Sequence, residues 1–235
     1  EKKPIDKDSE RLRGAEAAFR ELLTMPDAYA EQAGLGLAET LYRLDRLLEA
    51  EDVLATLLER PKLSDVTKDR ARLLLKNPRC VTEPCLPNFS FVTEDGELES
   101  SDALRGKVVL LSFWATWCRP CEAAVPDLKR VYKVNARSPF VMIGVNMHDE
   151  PVLMQRFLEQ NQITWPQLAG DHSARLIETM QISAIPTEIL FDHEGVLVSS
   201  TTGWGSTSGN KLYQAVGRAT KLAKKQAVAA PSSSR

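Results

Sequence analysis

Lys107-Val108-Val109-Leu110-Leu111-Ser112-Phe113-Trp114-Ala115-Thr116-Trp117-Cys118-Arg119-Pro120-Cys121 is the stretch on which the reading of this chain turns. Its first eight residues are almost wholly apolar and rich in valine and leucine, the pattern of a strand buried on both faces. Cysteine and proline then open an amphipathic segment, a helix expected over roughly 119–135. Cys118 therefore stands at a helix N-terminus, where the dipole and unpaired N–H groups stabilise negative charge. A thiol there loses its proton more easily than free cysteine, whose pKa is about 8.5, and the thiolate is the nucleophile. Two intervening residues let the second thiol attack the first and resolve a mixed disulfide. Cys118 is expected to be the exposed attacker and Cys121 the buried resolver. Arg119 adds a positive charge beside the thiolate, and Pro120 fixes the first helical turn at no cost in hydrogen bonds. The competing readings of this pair are a structural disulfide and half of a zinc site. Zinc needs two more ligands, and His148, His172 and His193 are scattered singly.

Outward from this stretch, strands and helices alternate. Downstream, Phe140 to Val145 reads as a second buried strand, 151–161 and 172–181 as helices, and Thr187 to Phe191 and Val196 to Ser200 as strands around the turn Asp192-His193-Glu194-Gly195. A last helix is expected over 207–226, followed by a small polar tail, 229–235, read as disordered. Upstream, Phe89-Ser90-Phe91-Val92 and the turn Glu94-Asp95-Gly96-Glu97 read as a hairpin. The fold class is α/β, a mixed sheet flanked by helices.

Residues 1–77 have a different texture, helical throughout, with Leu12, Ala15, Phe19 and Leu22 on one face. Ala15-Glu16, Phe19, Leu22-Leu23 and Pro26 recur 35 positions later as Ala50-Glu51, Leu54, Leu57-Leu58 and Pro61. Leu35, Ala38, Leu41, Tyr42 and Leu44 form another amphipathic stretch between them. A helix-pair repeat of this period resembles a tetratricopeptide unit, with about one and a half units present and 64–76 as a last helix. Pro78, Pro84 and Pro87 make 78–88 a hinge. The expected organisation is a small all-α helical-hairpin module over 1–77, that hinge, and an α/β domain over 89–228.

The run from Gly106 to Cys121 resembles the signature of the TlpA/ResA/DsbE branch of thioredoxin-like proteins. Pro126, where these proteins kink the helix, adds to the likeness. So does Ala184-Ile185-Pro186-Thr187, similar to their cis-proline loop. The hairpin before the strand, the helix over 151–161 and Ile163-Thr164-Trp165-Pro166 fit that branch better than plain thioredoxin. The resemblance spans roughly 86–226 and leaves out the helical module. It implies a thioredoxin-like fold, redox chemistry at Cys118 and Cys121, and a cis Pro186 facing them beside Ile185. A cis-proline leaves the preceding backbone free to pair with a bound client strand; the plainer reading of Pro186 is an ordinary turn proline.

The chain departs from those relatives at two acidic positions. Thioredoxin's buried aspartate is replaced by Ser112, and the glutamate usual in the TlpA/ResA group by Ala124. Glu122, in the first helical turn, and Glu188, two residues past Pro186, are the acids left to move a proton at Cys121. Strand alternation puts Glu188 on the same face as Pro186. The plainer readings are a helix-start carboxylate and a surface strand residue. Cys80 and Cys85, with Pro84 between them, read as a structural disulfide, with a second exchange pair as the alternative.

Composition bounds the rest. A formal charge of −2 gives no ground for nucleic-acid binding. No apolar run of about 18 residues exists to span a bilayer. Four cysteines in two close pairs suit an oxidising compartment. The expected location is thus extracytoplasmic, in the periplasm or on the outer face of the cytoplasmic membrane, with anchoring through a removed N-terminal segment as an option. No cofactor or metal is called for. The partners expected are a client protein with a cysteine pair, a membrane or periplasmic dithiol electron donor, and a protein on the helical module. The resemblance implies a disulfide reductase of the cytochrome c or metal-centre assembly type. An oxidant or isomerase, and a binding adaptor working through the helical module, remain open. A peroxiredoxin reading lacks its Pro-x-x-x-Thr stretch.

Overall fold

The computed structural model describes residues 7–24, 29–93 and 97–229. Pro26 of the sequence repeat, the turn Glu94-Asp95-Gly96 and the tail beyond Ala229 lie outside the described residues. Contacts divide the chain into two compact units between Pro84 and Cys85.

The first unit holds α1 (Lys7–Leu22), α2 (Ala30–Arg43), α3 (Leu47–Leu58) and α4 (Asp65–Lys76). Helix α2 packs against α1, α3 and α4. The small residues of α2 explain how. Gly36 lies on the Phe19 ring, where a Cβ would collide, and Gly34 lies closely against the Leu57 side chain. The large members of the sequence repeat thus pack into the small positions of the helix between them. Leu37, Ala38, Leu41, Ala50, Leu54 and Leu74 are fully buried as a result. Ser64 caps α4 by accepting from the Thr67 N–H, and Glu31 of α2 accepts from both hydroxyls. Pro78 ends the helical run, and Pro78–Val81 forms a short 3-10 turn.

The second unit opens with the hairpin β1 (Ser90–Val92) and β2 (Leu98–Ser100). Its sheet contains β3 (Val108–Trp114), β4 (Phe140–Asn146), β5 (Gln167–Leu168), β6 (Thr187–Phe191) and β7 (Leu197–Thr202), in the order β5-β4-β3-β6-β7. Strands β3, β4 and β5 run parallel, while β6 and β7 are antiparallel to their neighbours. The helices are α5 (Arg119–Asn135), α6 (Pro151–Gln160), α7 (Gly170–Thr179) and α8 (Ser208–Ala229). This is the α/β mixed sheet flanked by helices that the sequence predicts.

Every residue of β3 is buried, because helices cover both its faces. Val108 and Leu110 pack with Ala124, Leu128 and Val131 of α5 and with Val216 of α8. Val109, Leu111 and Phe113 meet Ile143, Leu176 and Phe191 on the other face. Ser112 is in phase with Val108 and Leu110, so it lies on the α5 face.

Three expectations need correction. Strand β5 was absent from the sequence reading; two residues carry no period and are recruited only by the edge of β4. Helix α7 begins at Gly170, two residues before the expected start. Helix α8 continues to Ala229, beyond 226 and into the first residue of the expected tail, because alanine and lysine favour helix.

Candidate functional site

Strand β3 ends at Trp114, and a turn closed by the Cys118 N–H on the Ala115 carbonyl (3.2 Å) leads into α5. Cys118 is the N-cap residue of α5, its Sγ accepting from the Cys121 N–H at 3.2 Å. A cap has extended backbone and an acceptor side chain, so the helix end turns toward the Cys118 sulfur. Cys118 and Cys121 form a disulfide with their Cα atoms 5.2 Å apart. Arg119 and Pro120 are exposed on the first turn. Trp117, the residue before Cys118, is 68% exposed.

The expected contrast between an exposed Cys118 and a buried Cys121 does not hold. Cys118 is 6% and Cys121 3% exposed. The two sulfurs cover one another, and Trp114, Ala115, Met154, Phe157, Leu158 and Ile185 pack around them. The Trp114 and Phe157 rings lie 4.9 Å apart, and the Trp114 indole N–H donates to Gln167 Oε1 at 2.9 Å. The peptide between Ile185 and Pro186 is cis. Ile185 is half-buried against the disulfide cluster, and Pro186 is buried.

Beneath Cys121 is a cavity of about 20 Å³, whose walls include Ser112, Cys121, Ala124, Gln167, Pro186 and Glu188. That is room for about one water molecule. Glu188 is more deeply placed than the sequence suggests, only 3% exposed. It sits directly opposite Ser112 in the antiparallel β3–β6 register, and the Ser112 hydroxyl donates to its Oε1 at 3.0 Å. Its Oε2 is buried without a hydrogen-bond partner among the described residues. Burial pushes the Glu188 carboxyl up to about 8, against the smaller opposing effect of the Ser112 hydrogen bond. Glu122, the other candidate acid, is exposed on the outer side of α5.

Cys80 and Cys85 are both disulfide-bonded, Cys80 buried and Cys85 partly so. Among the described residues no group of three or more His, Cys, Asp or Glu could hold a metal ion. His148 and His172 are exposed.

Residues 82–200 match the AhpC/TSA family model. The chain belongs to the AhpC/TSA family. This AhpC/TSA domain is similar to the thiol-disulfide oxidoreductase ResA of Bacillus cereus, 29% identical over 117 residues, which are 50% of this chain and 67% of that protein. ResA of Halalkalibacterium halodurans is 34% identical over 116 residues, 48% of this chain and 65% of that one. Among solved structures, a thiol:disulfide interchange protein of the thioredoxin family from Chlorobium tepidum TLS superposes with a TM-score of 0.53. It is 28% identical over 59% of this chain and 97% of its own. The AhpC/TSA domain is therefore a thioredoxin-fold domain of the ResA/DsbE thiol–disulfide oxidoreductase kind. The helical unit lies largely outside the family match, which begins at residue 82.

Sequence reasoning missed one group at the site. The Asp149 carboxylate accepts from the Thr116 N–H (2.7 Å) and hydroxyl (2.8 Å), just before Trp117 and Cys118. No spacing rule flags an aspartate in a loop 31 residues after Cys118; only the parallel pairing of β3 with β4 brings the two loops together.

Proposed function

We propose that the chain is an extracytoplasmic protein-disulfide reductase acting through the Cys118/Cys121 dithiol. The observation that carries the reading is the pairing of a helix-capping Cys118 with a Cys121 that opens onto the Glu188 cavity. In the reduced protein the Cys118 thiolate attacks one sulfur of a client disulfide. The client S–S bond breaks, a Cys118–client disulfide forms, and one client thiolate leaves. Cys121 gives up its proton and attacks Cys118 Sγ, which expels the second client thiolate and closes the disulfide seen here. Two electrons have then passed to the client. A membrane or periplasmic dithiol donor restores the reduced pair. Pro186 and Ile185 flank the sulfurs and offer a backbone edge for the client strand, with Trp117 and Arg119 at its rim. Glu188, joined to Ser112, is the base for Cys121.

Relatives named ResA support the oxidoreductase chemistry. The resemblance to that group favours reduction of cysteine pairs in cytochrome c or metal-centre assembly, and the outer face of the cytoplasmic membrane or the periplasm as the place. No helix among the described residues is long and apolar enough to cross a membrane. The helical module, 1–77, is proposed to bind a protein partner.

The direction of electron flow is tested by the reduction potential, measured by equilibration with dithiothreitol or glutathione. A reductase is expected at about −200 mV or below, whereas a value near about −120 mV assigns the role of oxidant.

Cys80 and Cys85 are proposed to be a structural pair across the 78–88 hinge. The double substitution Cys80→Ala/Cys85→Ala should lower stability by about 2 kcal/mol, the chain-entropy value for so short a closed loop. Disulfide-reductase turnover of insulin should stay within about twofold of the native rate. Loss of turnover with an unchanged circular dichroism spectrum would instead make the pair an electron relay.

A further inference from the structure

We propose that Asp149 is a positioning residue for the attacking cysteine, holding the turn that delivers Cys118 through both polar atoms of Thr116; this rests on the dithiol reading above. The turn runs Ala115-Thr116-Trp117-Cys118 and is closed by the Cys118 N–H on the Ala115 carbonyl. That bond leaves the Thr116 N–H pointing out of the turn, and Asp149 Oδ2 accepts it at 2.7 Å. The other oxygen, Oδ1, accepts the Thr116 hydroxyl at 2.8 Å. The carboxylate thus grips one residue at two points, and hydrogen bonds to an ionised acceptor are about twice as strong as neutral ones.

The grip would position nothing if Asp149 were itself loose. Its N–H donates to Asn146 Oδ1 at 3.0 Å, and Asn146 Nδ2 donates back to Asp149 Oδ2 at 2.6 Å. Asn146 is 1% exposed, the last residue of β4, and in register with Trp114, the last residue of β3. The Met147 N–H also donates to the Trp114 carbonyl at 2.8 Å. His148 has φ of 58°, the left-handed turn that brings Asp149 back onto Asn146. An unbroken line of hydrogen bonds therefore runs from the ends of two central strands, through Asn146 and Asp149, to the residue two before Cys118. Asp149 touches no reacting atom.

Cys121 makes no hydrogen bond to Asp149 or Thr116. It lies inside the first turn of α5, where backbone hydrogen bonds to the Cys118 carbonyl and the packing of that helix hold it. Asp149 should therefore govern first attack and leave resolution alone. Small misplacements of a reacting group cost large factors in rate, about 100-fold for 1 Å.

The test uses the reduced full chain and dithiobis(nitrobenzoate), whose two coloured thiolates report the steps separately. Attack by Cys118 breaks the reagent's S–S bond and releases the first; attack of Cys121 on the mixed disulfide releases the second. Asp149→Ala should slow the first phase at least about 10-fold and leave the second within about twofold. Thr116→Val keeps the N–H bond and loses the hydroxyl bond, so it should slow the first phase less. Thr116→Ser, which retains both donors, should restore the native rate. The double variant Asp149→Ala/Thr116→Val should be no slower than Asp149→Ala, since both remove one contact. A first phase unchanged in Asp149→Ala, equal slowing of both phases, or multiplied effects in the double variant would each overturn the proposal. If Asp149→Ala does not fold, equal rates for Thr116→Val and Thr116→Ser overturn it instead. Failure of the dithiol reading itself would look different, because the wild-type chain would then release no second thiolate.

Discussion

Cys118→Ser is expected to abolish disulfide exchange, whereas Cys121→Ser should keep the first step and trap the product. The asymmetry follows from the two positions. Cys118 caps α5, and the Cys121 N–H donates to its sulfur. Reduction frees that sulfur as a thiolate that the helix end already stabilises. A serine hydroxyl there has no comparable fraction ionised near neutral pH, and turnover should fall by at least about 1,000-fold. Cys121 lies in the first turn of α5, lines the cavity and is bonded to Cys118. Without it, a client thiol stays bound to Cys118, because no internal nucleophile remains to release it. Incubation of reduced Cys121→Ser with an oxidised client should give a covalent complex, seen by non-reducing electrophoresis and dissolved by dithiothreitol. Equal trapping by Cys118→Ser would reverse the two roles.

The parts of this site that were legible in the sequence are local ones. The apolar run from Val108 to Trp114 made β3 readable as a doubly covered strand. The abrupt change at Cys118-Arg119-Pro120-Cys121 then fixed the start of α5, since N-cap and proline signals act within one turn. The 35-residue recurrence from Ala15 to Ala50 was likewise readable, because each repeat carries its own large and small positions. What stayed hidden depends on register between distant segments. The alternation of β6 placed Glu188 on the correct face, yet nothing in the chain showed that it would face Ser112, 76 residues away, and share its hydroxyl. The replacement of an acid by Ser112 looked like a loss from the sequence. In the structure Ser112 is a hydrogen-bond donor to an acid supplied by the neighbouring strand. Asp149 was hidden for the same reason. The burial of Cys118 is not legible in the sequence, because the helix-start argument describes charge and says nothing about the covering side chains of α6.

Replacing Glu188 by glutamine should alter both the kinetics and the pH dependence of stability. Burial raises the folded-state pKa of Glu188 from the ordinary 4.5 to about 8. Between those values the folded protein holds a proton that the unfolded chain has lost. Stability must therefore fall as pH rises through this window, and level off above it. Each unit of separation is worth about 1.4 kcal/mol, so the wild type should lose a few kcal/mol between pH 5 and pH 9 that Glu188→Gln retains. Below about pH 4.5 both carry a neutral side chain able to accept from Ser112, and their stabilities should coincide. Urea unfolding of both proteins across this range checks the point, and parallel curves would mean that Glu188 is not held neutral. The same carboxyl supplies the kinetic signature. Only its ionised form can take the Cys121 proton, so the resolution step should accelerate with pH toward a midpoint near 8. In Glu188→Gln that acceleration should vanish, leaving resolution about 10- to 100-fold slower at pH 8 while first attack by Cys118 is unchanged. Superimposable resolution profiles would leave Glu188 a strand residue and return the proton to solvent or to Glu122.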